Sequence, residues 1–248
     1  MSKHNEYFDN DGNFDTAIVF VHGILGSPNQ FNDFVAVAKG RVAIYNLLLP
    51  GHGKTGKDFA QSNMAVWQKY VDDKVNDVQS RHEKIILVGH SLGCLLLAQT
   101  ALTSPDKICR LLFLAPPLKI RMRLRCILNS VKIAFNFVKD DDFMLQNSID
   151  LYGVEQKNPF GYIRFIPRFV ELLAKCRKTR KIIPLLNVPI LAVFSEYDEM
   201  VSPKSAKFLV ANPIAKISML KNSGHFYYDD LDQQFILNSL NNILAELE

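Results

Sequence analysis

A serine between two glycines is the first candidate for chemistry in this chain of 248 residues. Residues 89–93 are Gly-His-Ser-Leu-Gly, and they lie between the apolar run 85–88 and a second apolar segment that begins at Leu92. A sharp turn from a strand into a helix exposes a serine hydroxyl, and small residues on either side allow the close packing that this turn requires. The pattern predicts that Ser91 is a nucleophile. The alternative is a tight turn whose serine has no role.

A nucleophilic serine needs a base, and His225 is the candidate. It lies in the segment Asn-Ser-Gly-His-Phe-Tyr-Tyr-Asp-Asp, which follows the last predicted strand. A base that follows the acid in chain order is expected near the C-terminus. The other five histidines are expected to be solvated in polar stretches (His4 and His82) or to shape glycine-containing turns (His22, His52 and His90).

The base in turn needs a carboxylate to orient its imidazole. The segment that follows the predicted strand Pro189–Phe194 offers Glu196, Asp198 and Glu199. We choose Asp198, because the residues after it begin a helix and so suggest that this carboxylate turns back toward the strand ends. Glu196 is the alternative, since sequence does not resolve a position within a loop to one residue.

Acyl transfer also needs donors aimed at the oxygen that becomes negatively charged. The residue after the nucleophile supplies one such donor, here the backbone N–H of Leu92. The segment 21–27, Val-His-Gly-Ile-Leu-Gly-Ser, follows the first buried strand, and the backbone N–H of Ile24 is the candidate for the second donor. Gly23 and Gly26 let this loop run close to a substrate. The alternative is a glycine turn without function.

The elements that must position these groups alternate between strands and helices. Continuous β-branched segments indicate buried parallel strands, and the segments between them indicate helices. The alternation predicts an α/β fold with a mainly parallel sheet of about six to seven strands, flanked by helices and binding ligands at the carboxyl ends of its strands. The predicted strands are Thr16–Val21, Val42–Leu48, Lys84–Val88, Ile108–Leu114, Pro189–Phe194 and Ala215–Leu220, and the predicted helices are Phe31–Ala38, Met64–Val78, Leu92–Leu102, Lys204–Val210 and Leu231–Leu247.

The alternation is interrupted once, from Leu118 to about Ile183. No clear strand is predicted there, and apolar residues recur at helical spacing in two sets. We expect residues 118–183 to form an inserted helical cap over the strand ends, and residues 1–117 and 184–248 to form the core. The two sets are Ile127, Val131, Phe135 and Val138, and Ile163, Ile166, Val170 and Leu173.

Taken in order, these motifs resemble those of the α/β-hydrolase superfamily, most of all its monoacylglycerol lipase and carboxylesterase branch. The segments HGILGS, PGHGKT, GHSLGC, EYDEMVSP and SGHFYYDD correspond to that branch's oxyanion loop, following glycine loop, nucleophile elbow, acid loop and histidine loop. The resemblance covers essentially the whole chain. The chain departs from many members before the first motif, where a short N-terminal segment leaves room for a single strand at Tyr7 and Phe8 and thus predicts a smaller sheet.

The resemblance implies a serine hydrolase that cleaves small-molecule carboxylic esters with apolar acyl chains. Ser91 would attack the ester carbonyl, His225 would take its proton, and Asp198 would hold the imidazole. The N–H groups of Leu92 and Ile24 would stabilise the oxyanion, and neither a metal nor an organic cofactor is expected. Thioesters and other acyl or carbon–carbon bonds are alternative targets of the same triad, and a non-catalytic ligand-binding protein is the alternative of a different class.

The predicted cap has two further features. Its phenylalanines could line an acyl pocket, where each buried CH2 gains about 0.8 kcal/mol, or they could form the cap's own core. Residues 118–182 carry fourteen Lys and Arg against six Asp and Glu, with basic clusters at 119–126 and 175–181. These clusters could contact an anionic membrane surface, attract a negatively charged substrate, or form a solvated face. The phenylalanines are Phe135, Phe137, Phe143, Phe160, Phe165 and Phe169.

Composition and charge indicate which broad class of protein the chain belongs to. A chain with 48% hydrophobic and 22% charged residues is typical of a globular protein rather than a disordered one. The polar N-terminus lacks a secretory signal and no apolar run approaches the roughly 18 residues of a membrane span, so we expect a cytoplasmic location. No nucleic-acid-binding motif accompanies the basic clusters, and nothing indicates an oligomeric state. Widely spaced cysteines predict reduced thiols at Cys94, Cys109, Cys126 and Cys176.

Overall fold

The strands of the described residues, which are 4–121, 151–156 and 159–247 of a computed structural model, form one large sheet and one small pair. The strands are β1 (Tyr7–Asp9), β2 (Thr16–Val21), β3 (Ala43–Leu47), β4 (Lys54–Thr55), β5 (Lys84–His90), β6 (Ile108–Leu114), β7 (Val154–Glu155), β8 (Ile190–Ser195) and β9 (Ala215–Leu220). The large sheet has the order β1-β3-β2-β5-β6-β8-β9, and only β1, at its edge, is antiparallel to its neighbour. The parallel strands therefore end at one edge, where loops from β2, β5, β8 and β9 meet.

Helices connect these strands and cover both faces of the sheet. The α-helices are α1 (Asn32–Ala38), α2 (Gly56–Gln61), α3 (Met64–Arg81), α4 (Leu92–Thr103), α5 (Ile166–Ile182), α6 (Ala206–Leu209) and α7 (Asp230–Ala245). Short 3-10 helices cover Pro28–Phe31, Pro159–Phe165, Ile183–Leu185 and Pro203–Ser205. None of these described helices is long and apolar enough to cross a bilayer.

The core consists of two layers, because successive side chains of a strand point to opposite faces of a sheet. On β2, Val19 points to one face and Ile18 to the other, and both are fully buried. The first face packs against α3, α4 and α5, and the second packs against α1 and α7. Coverage on both faces explains why the inner strands β2, β3, β5 and β8 are mostly buried and apolar rather than apolar only at alternate positions.

The predicted sheet is confirmed. Each of the six predicted strands is present to within two residues, and the short strand predicted at Tyr7 and Phe8 is β1, with Tyr7 opposite Asn46 of β3. The helix predicted over Met64–Val78 continues to Arg81. The helix predicted at Lys204–Val210 is shorter, because Pro203 begins a 3-10 turn and only Ala206–Leu209 is α-helical.

The expectation that no strand interrupts residues 118–183 is wrong in one place. The two-residue strand β7 pairs in parallel with β4, with Lys54 opposite Val154. A pair of two-residue strands lacks the length over which a periodic pattern can be recognised. The set of apolar residues from Ile127 to Val138 lies outside the described residues.

The second set of apolar residues lies on the outward face of α5 and of the 3-10 turn before it. Its members are exposed to 63% (Ile163), 56% (Ile166), 59% (Val170) and 46% (Leu173). The inward face instead carries Leu172, Lys175, Cys176, Thr179 and Ile182, which are buried. The pattern therefore predicted the helix correctly but does not mark the face that packs on the core.

His82 corrects the expectation of a solvated histidine. It is buried, its Nδ1–H donates to the carbonyl oxygen of Phe14 at 2.7 Å, and its Nε2 accepts from the hydroxyl of Tyr45 at 2.9 Å. These bonds tie the end of α3 to the segment that leads into β2. The surrounding sequence is polar, and it does not reveal that the imidazole has two partners from distant segments.

The cysteines among the described residues are free thiols, as predicted. Burial raises the pKa of the Cys94 thiol well above its usual value and that of Cys176 to about 12. Both are therefore protonated at neutral pH and poor nucleophiles. Cys126 lies outside the described residues.

Candidate active site

Ser91 occupies a strained turn between β5 and α4. Its backbone has φ +50°, a left-handed conformation that non-glycine residues rarely adopt. A Cβ on Gly89 would lie 2.7 Å from the backbone nitrogen of Cys94, and one on Gly93 would lie 1.9 Å from the carbonyl oxygen of Val21. Both flanking positions therefore require glycine for space, as the motif predicts. The Ser91 N–H donates to the carbonyl of Leu114 on β6 at 2.9 Å and fixes the turn against the sheet.

The structure brings Ser91, Asp198 and His225 together from three separate loops. The Nδ1–H of His225 donates to Oδ2 of Asp198 at 2.8 Å, and Nε2 of His225 lies 3.2 Å from Oγ of Ser91. With its proton on Nδ1, the imidazole has a free lone pair on Nε2 that faces the serine hydroxyl. All three side chains are at least 96% buried. This is the geometry that a nucleophile, a base and an acid that orients the base would need.

Burial and the charge that each carries set the pKa values of Asp198 and His225. Burial alone would raise the pKa of Asp198, but the charge of His225 and the hydrogen bonds from His225 and from the N–H groups of Met200 and Val201 lower it overall. Burial alone would lower the pKa of His225, but the charge of Asp198, its hydrogen bond and the charge of Glu199 raise it overall. The site thus favours an ionised carboxylate and stabilises a protonated imidazole beside it.

The acid loop separates the carboxylates that the sequence left as alternatives. Asp198 contacts His225, whereas the Glu196 side chain is exposed at the surface. Glu199, which sequence reasoning left without a role, accepts a hydrogen bond from the backbone N–H of His225 at 3.1 Å. Its carboxylate also lies close to residue 224, where a Cβ would be 3.0 Å from Oε2 of Glu199. The only sequence signal for Glu199 is its position next to Asp198.

The candidate oxyanion loop, residues 22–27, lies directly against the turn at Ser91. A Cβ on Gly23 would lie 3.0 Å from the Ser91 Cβ and 3.0 Å from the His90 Nδ1. Leu25 has φ +60°, which turns this loop sharply. No described residue accepts a hydrogen bond from the backbone N–H of Ile24 or of Leu92, the two predicted donors.

The buried histidines His22 and His52 form hydrogen bonds with the oxyanion loop, consistent with the expectation that they shape turns. Burial lowers the pKa of His52 to about 4 and that of His22 well below its usual value, so both are neutral. His22 donates from Nδ1 to the carbonyl of Gly23 at 2.8 Å, and its Nε2 accepts from the N–H of Leu49 at 3.0 Å. The N–H of Leu25 donates to Nε2 of His52 at 3.2 Å.

A cavity of about 370 Å³ lies beside His225. Its walls include Gln30, His90, Leu114 and Phe226. This cavity differs from the acyl pocket expected from the phenylalanines at 118–183. Of those, Phe165 is buried in the core with its ring 4.7 Å from that of Phe59, and Phe169 packs against the same core.

These two phenylalanines pack in the main core rather than in a separate core of the predicted cap, and they are not among the walls of the cavity beside His225. Phe135, Phe137 and Phe143, and the side chain of Phe160, lie outside what the structure describes. The described residues also contain no cluster of three or more His, Cys, Asp or Glu that could hold a metal ion.

Comparison with known proteins identifies the family and the fold of the chain. A family described as "Alpha/beta hydrolase family" matches residues 18–236. The thermostable monoacylglycerol lipase of Bacillus sp. (strain H-257) is 23% identical over 229 residues, which cover 89% of this chain and 86% of that protein.

Solved structures show the same fold at low sequence identity. One from the metagenome-derived lipolytic enzymes LipS and LipT superposes with a TM-score of 0.75 at 17% identity, covering 97% of both chains. The monoacylglycerol lipase of Paleococcus ferrophilus superposes with a TM-score of 0.70 at 17% identity, covering 97% of this chain and 99% of the other.

Proposed function

The chain belongs to the alpha/beta hydrolase family, and we propose that it is a serine hydrolase that cleaves carboxylic esters of apolar acyl chains, in the manner of an esterase or monoacylglycerol lipase. The observation that carries this proposal is the position of His225, with one ring nitrogen 2.8 Å from Asp198 and the other 3.2 Å from Ser91. The proposed substrate is a small-molecule ester, and the catalytic groups are side chains and backbone N–H groups of the chain.

The first half of the reaction transfers the acyl group to Ser91. The Ser91 Oγ forms a bond to the ester carbonyl carbon while its proton moves to Nε2 of His225, and the carbonyl oxygen becomes negatively charged. The N–H groups of Ile24 and Leu92 donate to this oxyanion. The bond to the alcohol oxygen then breaks, and His225 gives the proton that it took from Ser91 to that oxygen. Asp198 stays ionised and stabilises the imidazolium.

The second half releases the acid. Water gives a proton to His225 and its oxygen attacks the acyl carbon, forming a second tetrahedral oxyanion in the same place. The bond to Ser91 Oγ breaks, and the proton on His225 returns to that oxygen. The free carboxylic acid leaves and the serine hydroxyl is restored.

A covalent probe tests the nucleophile. A fluorophosphonate should label the native protein at Ser91 and fail to label Ser91→Ala, whereas Ser239→Ala on α7 should label like the native protein. The comparison needs equal folding of the three proteins by circular dichroism. A native protein that is folded but unlabelled would favour the non-catalytic, ligand-binding alternative.

A substrate panel separates the proposed ester chemistry from its alternatives. p-Nitrophenyl esters of increasing chain length, monoacylglycerols and acyl-CoA should be compared by kcat/KM, with the highest values expected for medium or long acyl esters. Highest activity on acyl-CoA would indicate a thioesterase. Highest activity on acetate or butyrate would exclude a long acyl pocket.

We also propose that residues 118–183 are a cap inserted into the core and that this cap rests on the oxyanion loop. The N–H of Gly153 donates to the carbonyl of Leu25 at 2.8 Å, and its carbonyl accepts from the N–H of Gly53 at 2.5 Å. A Cβ on Gly153 would lie 2.1 Å from the carbonyl oxygen of Gly26. The cap and the loop that carries Ile24 therefore share one packed contact.

Two glycine variants test that contact. Gly153→Ala should lower the rate of fluorophosphonate labelling about tenfold or more, because the added methyl pushes the oxyanion loop out of place. Gly161→Ala is the matched control, since the nearest atoms that its methyl would meet belong to the side chain of Gln156 rather than to the backbone. Equal labelling rates for both variants would contradict the proposed support of the loop by the cap.

The outward face of α5 is a candidate interaction surface. This α5 surface consists of the exposed apolar side chains Ile163, Ile166, Val170 and Leu173, followed by the exposed cations Arg177, Lys178 and Lys181. Within the helix, residues 166, 170, 173, 177 and 181 share one side because they are spaced by three or four. The first turns of this side are apolar and the last turns are basic.

We propose that the α5 surface contacts an anionic membrane surface. Apolar side chains that insert among acyl chains are removed from water, and nearby cations interact with lipid phosphates for about 1 kcal/mol each. The basic cluster is smaller than the sequence suggested, because Lys175 is buried and donates to Oε1 of Gln68 at 2.6 Å. Residues 122–126 of the other basic cluster lie outside the described residues.

Vesicle sedimentation tests this surface. Binding should be stronger to phosphatidylcholine vesicles containing about a third phosphatidylglycerol than to pure phosphatidylcholine, and it should fall as salt rises. Lys181→Glu should reduce the preference for anionic vesicles, and Val170→Glu should weaken binding to both kinds. Leu231→Glu, which changes an exposed leucine on α7, is the control. Absence of binding to anionic vesicles, or equal loss in the control, would overturn the proposal.

A further inference from the structure

A chain of hydrogen bonds joins the oxyanion loop to the histidine loop behind the candidate triad. The backbone N–H of Gly23 donates to Oε1 of Gln30 at 3.3 Å. The side-chain nitrogen of Gln30 lies 3.3 Å from Nδ1 of His90, and Nε2 of His90 lies 2.9 Å from the carbonyl oxygen of His225. We name the two side chains in the middle the Gln30–His90 relay.

The direction of every bond in this relay is determined by its ends. Gly23 offers only a donor and the His225 carbonyl only an acceptor. The oxygen of Gln30 must therefore face Gly23 and its amide N–H must face His90. His90 consequently accepts at Nδ1 and carries its proton on Nε2, from which it donates to His225. A neutral imidazole is the protonation state that satisfies both contacts.

The surroundings of His90 keep it neutral. Burial, and then the charge of His225, lower the pKa of His90 to about 3. Its ring centre lies 4.8 Å from that of His225, so a second positive charge there would oppose the imidazolium that forms during acyl transfer. A neutral His90 avoids this repulsion while it holds the histidine loop.

The relay also completes a clamp on the backbone of residue 225. The N–H of His225 is held by the carboxylate of Glu199, and its C=O is held by His90. The imidazole of His225 projects from a backbone unit that is thus fixed on both sides. Gly23, at the other end of the relay, precedes Ile24, the proposed oxyanion donor.

We propose that Gln30 and His90 are positioning residues that hold the oxyanion loop and the histidine loop at the separation that acyl transfer requires. This inference rests on the proposed function, because it assigns the two side chains a role in that same site. The two loops leave β2 and β9, which are not neighbours in the sheet. The sheet's own hydrogen bonds therefore do not join the two strands directly, and the relay spans the distance across the elbow.

Single and double variants test whether the two side chains act as one unit. Gln30→Met keeps the length of the side chain and removes its hydrogen bonds, and His90→Phe keeps a ring of similar size. Each should lower kcat for a soluble p-nitrophenyl ester about ten- to a hundredfold with KM changed less than about threefold, since misplaced groups act on the transition state more than on ground-state binding. The double variant should be little worse than the worse single variant.

Two further variants separate positioning from packing. His90→Gln restores one donor and one acceptor and should recover part of the kcat that His90→Phe loses. Gln233→Met changes a glutamine in the wall of the same cavity but outside the relay and should resemble the native protein. Thermal unfolding of each variant shows whether it is folded, and Gln30→Met carries the test if His90→Phe is not.

Fluorophosphonate labelling distinguishes a failed relay from a failed function. A native protein that labels while Gln30→Met labels at a reduced rate supports the relay. Equal labelling rates, fully additive effects in the double variant, or a change confined to KM would overturn it while leaving the proposed nucleophile intact. A native protein without labelling would instead refute the function on which the relay rests.

Discussion

The loops of the candidate site and the outward face of α5 (Ile166–Ile182) differ in which side chains they bury and which they expose to water. In the loops, the polar side chains of Ser91, Asp198 and His225 are withdrawn from solvent, and each is compensated by hydrogen bonds. On α5, apolar side chains such as Val170 remain in solvent. Burying polar groups and exposing apolar ones are both unfavourable unless something offsets the cost. Hydrogen bonds within the loops offset the burial of their polar groups. Among the described residues, nothing covers the apolar side chains of the α5 surface.

Substitutions in the two regions should therefore affect different properties of the protein. A change of one atom in the loops removes a partner from a buried polar group, so function should suffer strongly. A change on the α5 surface removes no packing, so stability should not suffer.

The largest effect is expected at the acid loop. Asp198→Asn should lower kcat about ten-thousandfold, because an amide in place of the carboxylate no longer holds the imidazole with its proton on Nδ1. Glu196→Gln, two residues away and exposed, is the matched control and should retain the native kcat. Steady-state kinetics on a soluble ester measures both. A strong loss in Glu196→Gln together with a mild one in Asp198→Asn would reverse the assignment of the acid.

The next effect concerns space at the nucleophile elbow. Gly93→Ala places a methyl 1.9 Å from the carbonyl oxygen of Val21, which belongs to a fully buried strand and has little freedom to move. We expect a loss of about 3 kcal/mol or more in the free energy of unfolding, measured with urea.

Gly40→Ala is the control for this effect. Gly40 has a positive φ, +75°, which Gly93 lacks, and nothing lies within 4 Å of the added methyl. Only backbone strain applies there, which costs about 1 kcal/mol. Similar losses for both variants would indicate that the elbow relaxes and that crowding is not its constraint.

The two faces of α5 provide the third test. Leu172 is buried against the core, and its replacement by Ala should cost about 2 to 4 kcal/mol of unfolding free energy. Val170, two residues earlier, is mostly exposed, and Val170→Ala should change stability by no more than about 0.5 kcal/mol. A large loss in Val170→Ala would mean that the α5 surface packs against another part of the chain, and it would count against a membrane contact.

The contrast also explains what could be predicted from the sequence. Ser91, Asp198 and His225 each follow a strand of the large sheet, and the carboxyl ends of parallel strands lie at one edge of a sheet. Short motifs then suffice to locate the site residues, because topology brings them together. Space for only hydrogen at Gly89 and Gly93 is likewise a local property of the turn and leaves a local signature.

Other features depend on partners that are distant in the chain, and no local pattern reveals them. The burial of Lys175 requires α3 and its Gln68, and the burial of His82 requires Tyr45. The relay through Gln30 and His90 joins residues that are 60 positions apart. The apolar stripe of α5 predicted a helix correctly, but the choice of its buried face is made by the surface of α4.

The smallest effect is a shift in the pH dependence of kcat/KM. His225 must be unprotonated to act as a base, and its pKa is raised above its usual value of 6.5 by Asp198 and Glu199 against the opposing effect of burial. The groups that face it are these two carboxylates from the acid loop, and neutral His90 and Ser91 from the elbow. Activity should therefore decline on the acid side as pH falls through a value above 6.5.

Glu199→Gln isolates one contribution to that shift. The amide oxygen can still accept from the backbone N–H of His225, so the loop stays in place, but the negative charge is gone. Loss of a negative charge disfavours the imidazolium, so the pKa of His225 falls and the acid limb of kcat/KM should move to lower pH. Glu196→Gln removes the same charge from an exposed position in the same loop, where water and salt screen it, and should leave the limb unmoved. An acid limb that moves equally in both variants would show that the loop's overall charge, rather than the contact at residue 225, sets the pKa of the base.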